Sequence, residues 1–153
     1  MQPKFKSYPK PEYWAGLFDG EGSFRIKRTA GKNRGAPNRP WLYQCEAQLT
    51  LVQRGVIEQL QENFGGSIQV RQPRKPTHNV YHTWVVASGY AAAFADAVLP
   101  WLLIKHNHAQ LLIDFQNAKD DWRNSGETRI SPELDEFYED CFMKMKELNK
   151  RGA

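Results

Sequence analysis

The stretch Trp14-Ala15-Gly16-Leu17-Phe18-Asp19-Gly20-Glu21-Gly22 decides the fold of this chain, because it ends a short apolar helix with two carboxylates among glycines. Pro11 suits the first turn of that helix, and the last two glycines permit an abrupt exit from it. The pattern therefore predicts Asp19 and Glu21 at the helix tip. Gly16 costs roughly 1 kcal/mol inside a helix relative to Ala, a cost that close approach of a second helix would offset. An ordinary structural helix with an acidic end is the alternative interpretation.

Two segments after this helix alternate between apolar and polar residues, as strands with one solvated face do. The first segment covers residues 23–30 and the second covers residues 43–51, which is the cleanest alternation in the sequence. Residues 31–40 between them are rich in Gly, Pro, Asn and Arg, and they predict a long basic hairpin loop.

A second helix and two further strands are predicted next. The helix covers about residues 56–63 and stops at the glycine pair 65–66. Strands are expected over residues 67–71 and 80–87, on either side of a basic turn.

Helical patterns complete the chain, over residues 91–99, about 107–123 and 132–150. The last helix has a good start signal, with Ser131 as N-cap and Pro132 at the first helical position. The order of helix, two strands, helix, two strands and helices predicts an α+β fold.

The size and composition indicate one domain over residues 1–153. A chain of 153 residues with 41% hydrophobic content can bury one core. No stretch approaches the roughly 18 consecutive apolar residues of a membrane span, and the N-terminus lacks the apolar segment of a signal peptide, so we expect an intracellular protein without a membrane partner. Cys45 and Cys141 are far apart and lack metal-ligand spacing, so neither a zinc site nor a disulfide framework is indicated.

The net charge of +4 is unevenly distributed along the chain. Residues 1–90 contain 13 Lys and Arg against 6 Asp and Glu, whereas residues 91–153 contain 8 against 11. A basic N-terminal half favours one face that binds a polyanion, with chance segregation on a solvated surface as the alternative.

The nonapeptide 14–22 resembles the LAGLIDADG motif of homing endonucleases, with Trp14 at the first motif position and Gly22 at the last. The resemblance covers about residues 11–120 and implies the αββαββα fold, whose antiparallel sheet binds DNA; residues 121–153 would form a C-terminal helical extension. A single motif implies a homodimer. In the family the first acidic residue, here Asp19, shapes the helix end. The dimer interface would then include Trp14, Ala15, Gly16 and Asp19.

The same resemblance implies a divalent-metal site. Glu21 stands where the family places a metal-binding carboxylate, normally Asp, and the Gly20 backbone carbonyl would join it. Mg²⁺ is the expected ion, with Mn²⁺ as a substitute, since Mg²⁺ commonly takes one or two protein carboxylates plus phosphate oxygens. Such ions neutralise charge and activate water in phosphodiester hydrolysis.

Two further segments resemble active-site elements of the family. Lys105 follows Pro100 by five residues, as an active-site lysine does in the family, and it would orient water or stabilise the charged transition state. Gln53 and Arg54 match a Gln followed by a basic residue, with Gln53 ordering active-site water; a polar strand end turning into a helix is the alternative. His106 and His108 could contact phosphate, but positions at the surface or at a helix start are expected for both.

The polar faces of the strands predict a base-reading surface. Arg can bridge guanine O6 and N7, Gln can bridge adenine N6 and N7, and Glu can accept from cytosine N4. The base-reading candidates are Arg25, Lys27, Gln44, Glu46, Gln48, Gln69 and Arg71. The loop residues expected to contact phosphates are Lys32, Arg34, Arg39, Arg74 and Lys75.

His82 and Trp84 share one side of the fourth strand, and the sequence leaves open whether that side faces DNA or the core, the core being the assumption for Trp84.

The sequence therefore predicts a site-specific, metal-dependent homing endonuclease that acts as a homodimer. Its substrate would be a long pseudo-palindromic site in double-stranded DNA, with phosphodiester bonds hydrolysed on both strands. The alternative is an intron RNA maturase, or a catalytically inactive DNA-binding protein, of the same fold. A purely structural domain explains the apolar core but leaves the basic loops and the Gln- and Arg-rich strand faces unexplained.

Overall fold

The computed structural model of the chain describes residues 10–150. The predicted order of elements is confirmed, and a short 3₁₀ turn follows the first strand. The helices and strands are α1 (Pro11–Glu21), β1 (Gly22–Ala30), β2 (Trp41–Leu51), α2 (Arg54–Phe64), β3 (Ser67–Arg71), β4 (Tyr81–Ala87), α3 (Ser88–Val98), α4 (His106–Asn124) and α5 (Pro132–Lys150).

The four strands form one antiparallel sheet in the order β1-β2-β4-β3. The register pairs Arg25 with Glu46 and Phe24 with Ala47, so one face collects the polar residues predicted from the alternation. His82 and Trp84 lie on the opposite face and are buried, at 8% and 0% exposure. The open question about the fourth strand is therefore settled in favour of the core.

An aromatic cluster fills the space between the sheet and the helices. Phe94 on α3 is its centre, with ring centroids 5.0 Å from Phe18, 4.9 Å from Phe64 and 5.0 Å from Trp84. Each fully buried aromatic ring contributes about 1.5–3 kcal/mol of hydrophobic stabilisation. This cluster fixes α1 against the sheet and thereby fixes where the α1 tip lies.

The two sides of α1 differ, and this corrects part of the predicted dimer interface. Trp14 and Ala15 are buried in the chain's own core, at 2% and 0% exposure, so they are not available to a partner helix. Tyr13, Gly16 and Gly20 are exposed, and a Cβ at either glycine would meet nothing within 4 Å. The apolar residues 13–15 and 17–18 cover a wide arc of the helix, so the sequence pattern does not indicate which of them face the core.

Gly22 begins β1 directly after α1 and permits the sharp change of direction there. A Cβ at this position would overlap the ring of Phe18, which is fully buried. The glycine therefore serves close packing, since its φ of −92° is open to any residue.

The helical boundaries shift slightly from the prediction. α3 begins at Ser88 rather than near residue 91, immediately after β4, and Ser88 takes a φ of +54° to make the turn. The start of α5 is as predicted, because the Leu134 N–H donates to Ser131 Oγ at 3.1 Å. Within residues 10–150 no helix is long and apolar enough to cross a membrane.

The C-terminal helix is attached to the sheet by a polar network. Arg28 donates to both carboxylate oxygens of Glu139 on α5, at 2.8 and 2.9 Å, and Tyr43 donates to the same carboxylate at 2.6 Å. The Arg28 guanidinium also lies over the rings of Trp41 and Phe142. These contacts hold α5 against β1 and β2.

Candidate active site

The Asp19 side chain is hydrogen-bonded within its own chain. Its carboxylate accepts the backbone N–H groups of Leu103, Ile104 and Lys105 at 2.8, 3.2 and 3.0 Å. Three donors on one carboxylate fix the turn that leads into α4 against the tip of α1. These bonds agree with the predicted role of Asp19 in shaping the helix end. A position of Asp19 in a dimer interface would not explain them.

Lys105 is brought to the α1 tip by this turn. Its backbone N–H is held by the Asp19 carboxylate, and its Nζ donates to the Asp19 backbone carbonyl at 2.7 Å. Lys105 is half-buried and lines an open cleft. The structure thus places Lys105 beside the helix tip, 84 positions from Glu21 in the sequence.

Glu21 is the last residue of α1 and is exposed. Its side chain makes no hydrogen bond or ion pair with any residue in the described part of the chain. The carboxylate therefore remains available to an external ligand, in contrast to Asp19. It lines an open cleft of about 430 Å³. The other lining residues are Gly20, Gly22, Ser23, Arg25, Ile104, Lys105, His108 and Asn149.

His108 lies in the first turn of α4, which agrees with the predicted helix start, but it is buried and lines the cleft instead of lying at the surface. It is 7% exposed, and its Nδ1 has no hydrogen-bond partner among residues 10–150. Burial lowers the pKa of His108, and the neighbouring Lys105 charge lowers it further against the opposing effects of the Leu148 carbonyl and Asp19. The imidazole of His108 is therefore neutral near pH 7 and adds no positive charge beside Lys105.

Asn149 brings the C-terminal helix into the cleft. Its Nδ2 donates to the backbone carbonyl of Phe24 on β1 at 2.9 Å. No local pattern indicates this contact, because it joins residues that lie 125 positions apart.

Gln53 and Arg54 lie outside this cleft. Gly22 pairs with Leu49, so the end of β2 and the tip of α1 are at the same end of the sheet. Both side chains are exposed at the start of α2, and Arg54 pairs with Glu58 at 2.7 Å. Their catalytic roles stay predictions.

The donor set for a metal is small within one chain. Over residues 10–150, no group of three or more His, Cys, Asp or Glu side chains comes together as a metal site. Glu21 supplies an unpaired carboxylate, and the open side of Gly20 leaves its backbone accessible. These oxygens fit Mg²⁺, which keeps several waters and accepts phosphate oxygens as further ligands.

The polar face of the sheet adjoins the cleft through Arg25. Arg25 and Lys27 both pair with Glu46, Lys27 at 3.0 Å. Glu46 is 3% exposed, so its predicted role as a base reader is wrong: the carboxylate is used by its two basic neighbours. It instead holds the two cations in fixed positions on the polar face.

The other base-reading candidates also lie on this face. Gln44 donates to Ser88 Oγ at 3.2 Å, whereas Gln69 and Arg71 are exposed on the edge strand β3. Gln48 is half-buried in the centre of the sheet, opposite Ser23. The face thus offers amide and guanidinium donors along three strands.

The predicted phosphate-contacting residues occupy the two hairpin loops. Arg39 forms an ion pair with Asp135 at 3.5 Å. The remaining four are exposed: Lys32, Arg34, Arg74 and Lys75.

Comparison with known families gives a match to the LAGLIDADG endonuclease family over residues 14–88. This segment contains α1, the polar strands and Glu21. None of the curated proteins compared with the chain matches it.

Several solved structures share the fold. The archaeal intron-encoded homing endonuclease I-Vdi141I, complexed with DNA, has a TM-score of 0.70 at 16% identity, with 94% of this chain and 86% of that chain covered. The homing endonuclease I-CvuI, in complex with its target in the presence of Ca²⁺, has a TM-score of 0.60 at 14% identity, covering 89% and 94%. I-GzeII in complex with its DNA target has a TM-score of 0.60 at 20% identity, covering 90% of this chain and 43% of that one.

Proposed function

This chain belongs to the LAGLIDADG endonuclease family, and from that premise we propose that it is a divalent-metal-dependent homing endonuclease that acts as a homodimer. Its substrate is a long, pseudo-palindromic site in double-stranded DNA, and it cuts both strands. The observation that carries the proposal is the unpaired Glu21 carboxylate beside Lys105, at the edge of a polar sheet face.

Glu21 and the Gly20 carbonyl would hold the metal. When bound there, Mg²⁺ supplies charge neutralisation at the phosphate and an activated water. Lys105 directs its ammonium group toward the same cleft and stabilises the negative charge that develops on the scissile phosphate. Asp19 keeps Lys105 in position through the bonds at its backbone N–H and Nζ.

The exposed side of α1 supports the proposed homodimer. Gly16 and Gly20 lie one turn apart with open space above them, so a second copy of the helix can approach closely there. Two-fold symmetry would bring two Glu21 carboxylates to one centre, one for each DNA strand. Tyr13 and Leu17, on the same side of α1, would supply apolar contact area.

Sequence reading would come from the polar sheet face. Arg25, Lys27, Gln48, Gln69 and Arg71 present donors that suit base edges in the major groove. Loop cations such as Lys32 and Lys75 would contact phosphates without reading sequence.

Incubation of the protein with a randomised duplex library and Mg²⁺, followed by sequencing of the ends, tests this proposal. We expect recovered ends that share a pseudo-palindromic sequence with cuts on both strands. The matched control is Glu21→Gln, which keeps the shape of the side chain and removes its charge. Equal numbers of ends from the wild type and from this variant would contradict the proposal.

A further inference from the structure

A second cleft lies at the far end of the sheet from Glu21, and no catalytic group is part of it. It has a volume of about 320 Å³ and is bounded by the ends of β1 and β2, the hairpin loop between them, and the C-terminal part of α4. We refer to it as the distal basic cleft. Its lining includes Lys27, Thr29, Arg34, Arg39, Lys119 and Arg123.

The charge of this cleft is one-sided. Five of its lining side chains are cationic, and none of the lining residues is acidic. Lys27 and Arg39 have carboxylate partners in Glu46 and Asp135, whereas Arg34 and Arg123 are exposed and have no ion pair within residues 10–150. The cleft therefore has an unbalanced positive charge, which favours an anionic ligand.

Lys119 shows that the cations crowd one another. Its Nζ donates to the backbone carbonyl of Tyr43 at 2.5 Å, and the side chain is half-buried. Burial lowers the pKa of Lys119, and the charges of Arg39 and Arg123 lower it further, against the opposing effects of Cys45 and Asp120. An anion between these side chains would relieve that repulsion.

The distal basic cleft is separated from the active site by roughly the length of strand β1. β1 starts beside Glu21 and reaches the cleft at Lys27 and Thr29, which lie on the polar face. Seven residues of strand span about 23 Å at 3.3 Å per residue. That length corresponds to about seven base pairs of DNA at 3.4 Å each.

We propose that the distal basic cleft binds a backbone phosphate of the duplex about seven base pairs outward from the cut. This inference rests on the proposed function, and it gives α4 and the turn after it a role in DNA binding. Arg34 from the hairpin and Arg123 from α4 approach the phosphate from two sides, and Lys119 lies beneath it. The indole of Trp122 forms part of the wall, and its Nε1–H is already donated to the Arg129 carbonyl at 3.0 Å.

The test is the salt dependence of duplex binding by the Arg34→Gln/Arg123→Gln double variant. A protein that loses one phosphate contact loses about 0.9 from the slope of log K against log salt. A dimer has two such clefts, so the slope on a 40-base-pair random-sequence duplex should become shallower by about 1.8. The matched control is Lys144→Gln/Lys146→Gln on α5, which removes the same charge from exposed positions outside the cleft and should leave the slope closer to that of the wild type. Unfolding curves of both double variants verify that they fold.

A second arm uses a site recovered by cleavage of the randomised library. Duplexes of that site shortened to end about five base pairs outside each cut should bind the wild type and the Arg34→Gln/Arg123→Gln variant equally. Full-length duplexes should separate them.

The possible failures are distinguishable. A wild type that binds and cleaves DNA, with an unchanged slope in the cleft variant, overturns this inference alone. A wild type that binds no duplex overturns both proposals. A loss confined to structured RNA would mean that the cleft serves RNA, and it would overturn the assignment to duplex DNA.

Discussion

Asp19 and Glu21 are two carboxylates separated by one residue, yet their surroundings in the structure are opposite. Asp19 accepts three backbone N–H groups and its carbonyl accepts the Lys105 ammonium. Glu21 has no partner among residues 10–150 and opens onto a cleft. The difference separates a residue that builds the site from a residue that is available to do chemistry in it.

Two glycines of the segment 14–22 also differ from each other in their surroundings. Gly22 is required by the chain's own core, because Phe18 occupies the space of a side chain. Gly16 faces open space and is not required by any contact within the described residues. The segment therefore has an inward half that fixes the fold and an outward half that the proposed dimer and metal would use.

The largest expected effect is that of Glu21→Gln on cleavage. Loss of a charged group that acts on the transition state typically costs 100- to 1,000-fold in rate, about 3–4 kcal/mol. The free energy of unfolding should change by less than about 0.5 kcal/mol, since Glu21 has no intrachain partner. Cleavage rates of the variant measure the first effect, and urea unfolding curves measure the second. A large loss of stability would show that Glu21, like Asp19, supports the fold.

Asp19→Ala should have the opposite signature. Three backbone N–H groups would lose a charged acceptor, at a cost of about 2–3 kcal/mol in the free energy of unfolding after allowance for partial solvent access. Urea unfolding measures this loss. Cleavage by the fraction that remains folded should also fall, because Lys105 loses its anchor.

Asp19→Asn is the milder companion variant, since its amide oxygen still accepts hydrogen bonds. It should lose less stability than Asp19→Ala. Equal stability of the wild type and Asp19→Ala would show that these bonds do not hold the turn.

Gly16→Leu tests the outward half of α1. The fold has room for the side chain, and removal of a helix-interior glycine should leave the free energy of unfolding equal or raise it by up to about 1 kcal/mol. Overpacking of a close helix contact costs about 1–3 kcal/mol, so dimer dissociation should become roughly 10- to 100-fold easier. Sedimentation over a concentration series measures it.

Gly16→Ala serves as the small-side-chain control. It should weaken the dimer less than Gly16→Leu does. An unchanged dimer in Gly16→Leu would remove α1 from the interface.

His108 gives the smallest effect, through pH. Its pKa in the folded protein is lowered from the ordinary 6.5, so folding favours the neutral imidazole. The resulting stabilisation is complete above pH 6.5 and is lost as the pH falls below that value. The melting temperature of the wild type should drop more between pH 8 and pH 5 than that of His108→Gln; the same drop in both would assign the acid sensitivity to other groups.

The order of the elements could be predicted from the sequence because its signals are local. The alternation over residues 43–51 and the Ser131-Pro132 start each depend on neighbours a few positions away. Resemblance to a motif then placed Glu21 and Lys105 on the list of candidates. The structure added that Lys105 reaches the α1 tip through Asp19.

The errors came from contacts between distant segments. The burial of Glu46 depends on two basic residues of the neighbouring strand. The strand register that aligns these residues cannot be predicted from local sequence. Trp14 and Tyr13 are both aromatic, but only Trp14 is buried, where it packs against Phe64 of α2. The distal basic cleft likewise needs Arg34 and Arg123, which come from opposite halves of an uneven charge distribution.

The central claim is that Glu21 binds the catalytic metal, and it is tested most directly by the position of Mn²⁺ in a crystal of the protein with its cleaved or intact duplex. Anomalous scattering locates this ion without ambiguity. The account predicts a peak at about 2.0–2.2 Å from a Glu21 carboxylate oxygen, close to a DNA phosphate and near the two-fold axis of a homodimer. A peak on Asp19, or an ion bound only by DNA with Glu21 turned away, would contradict it.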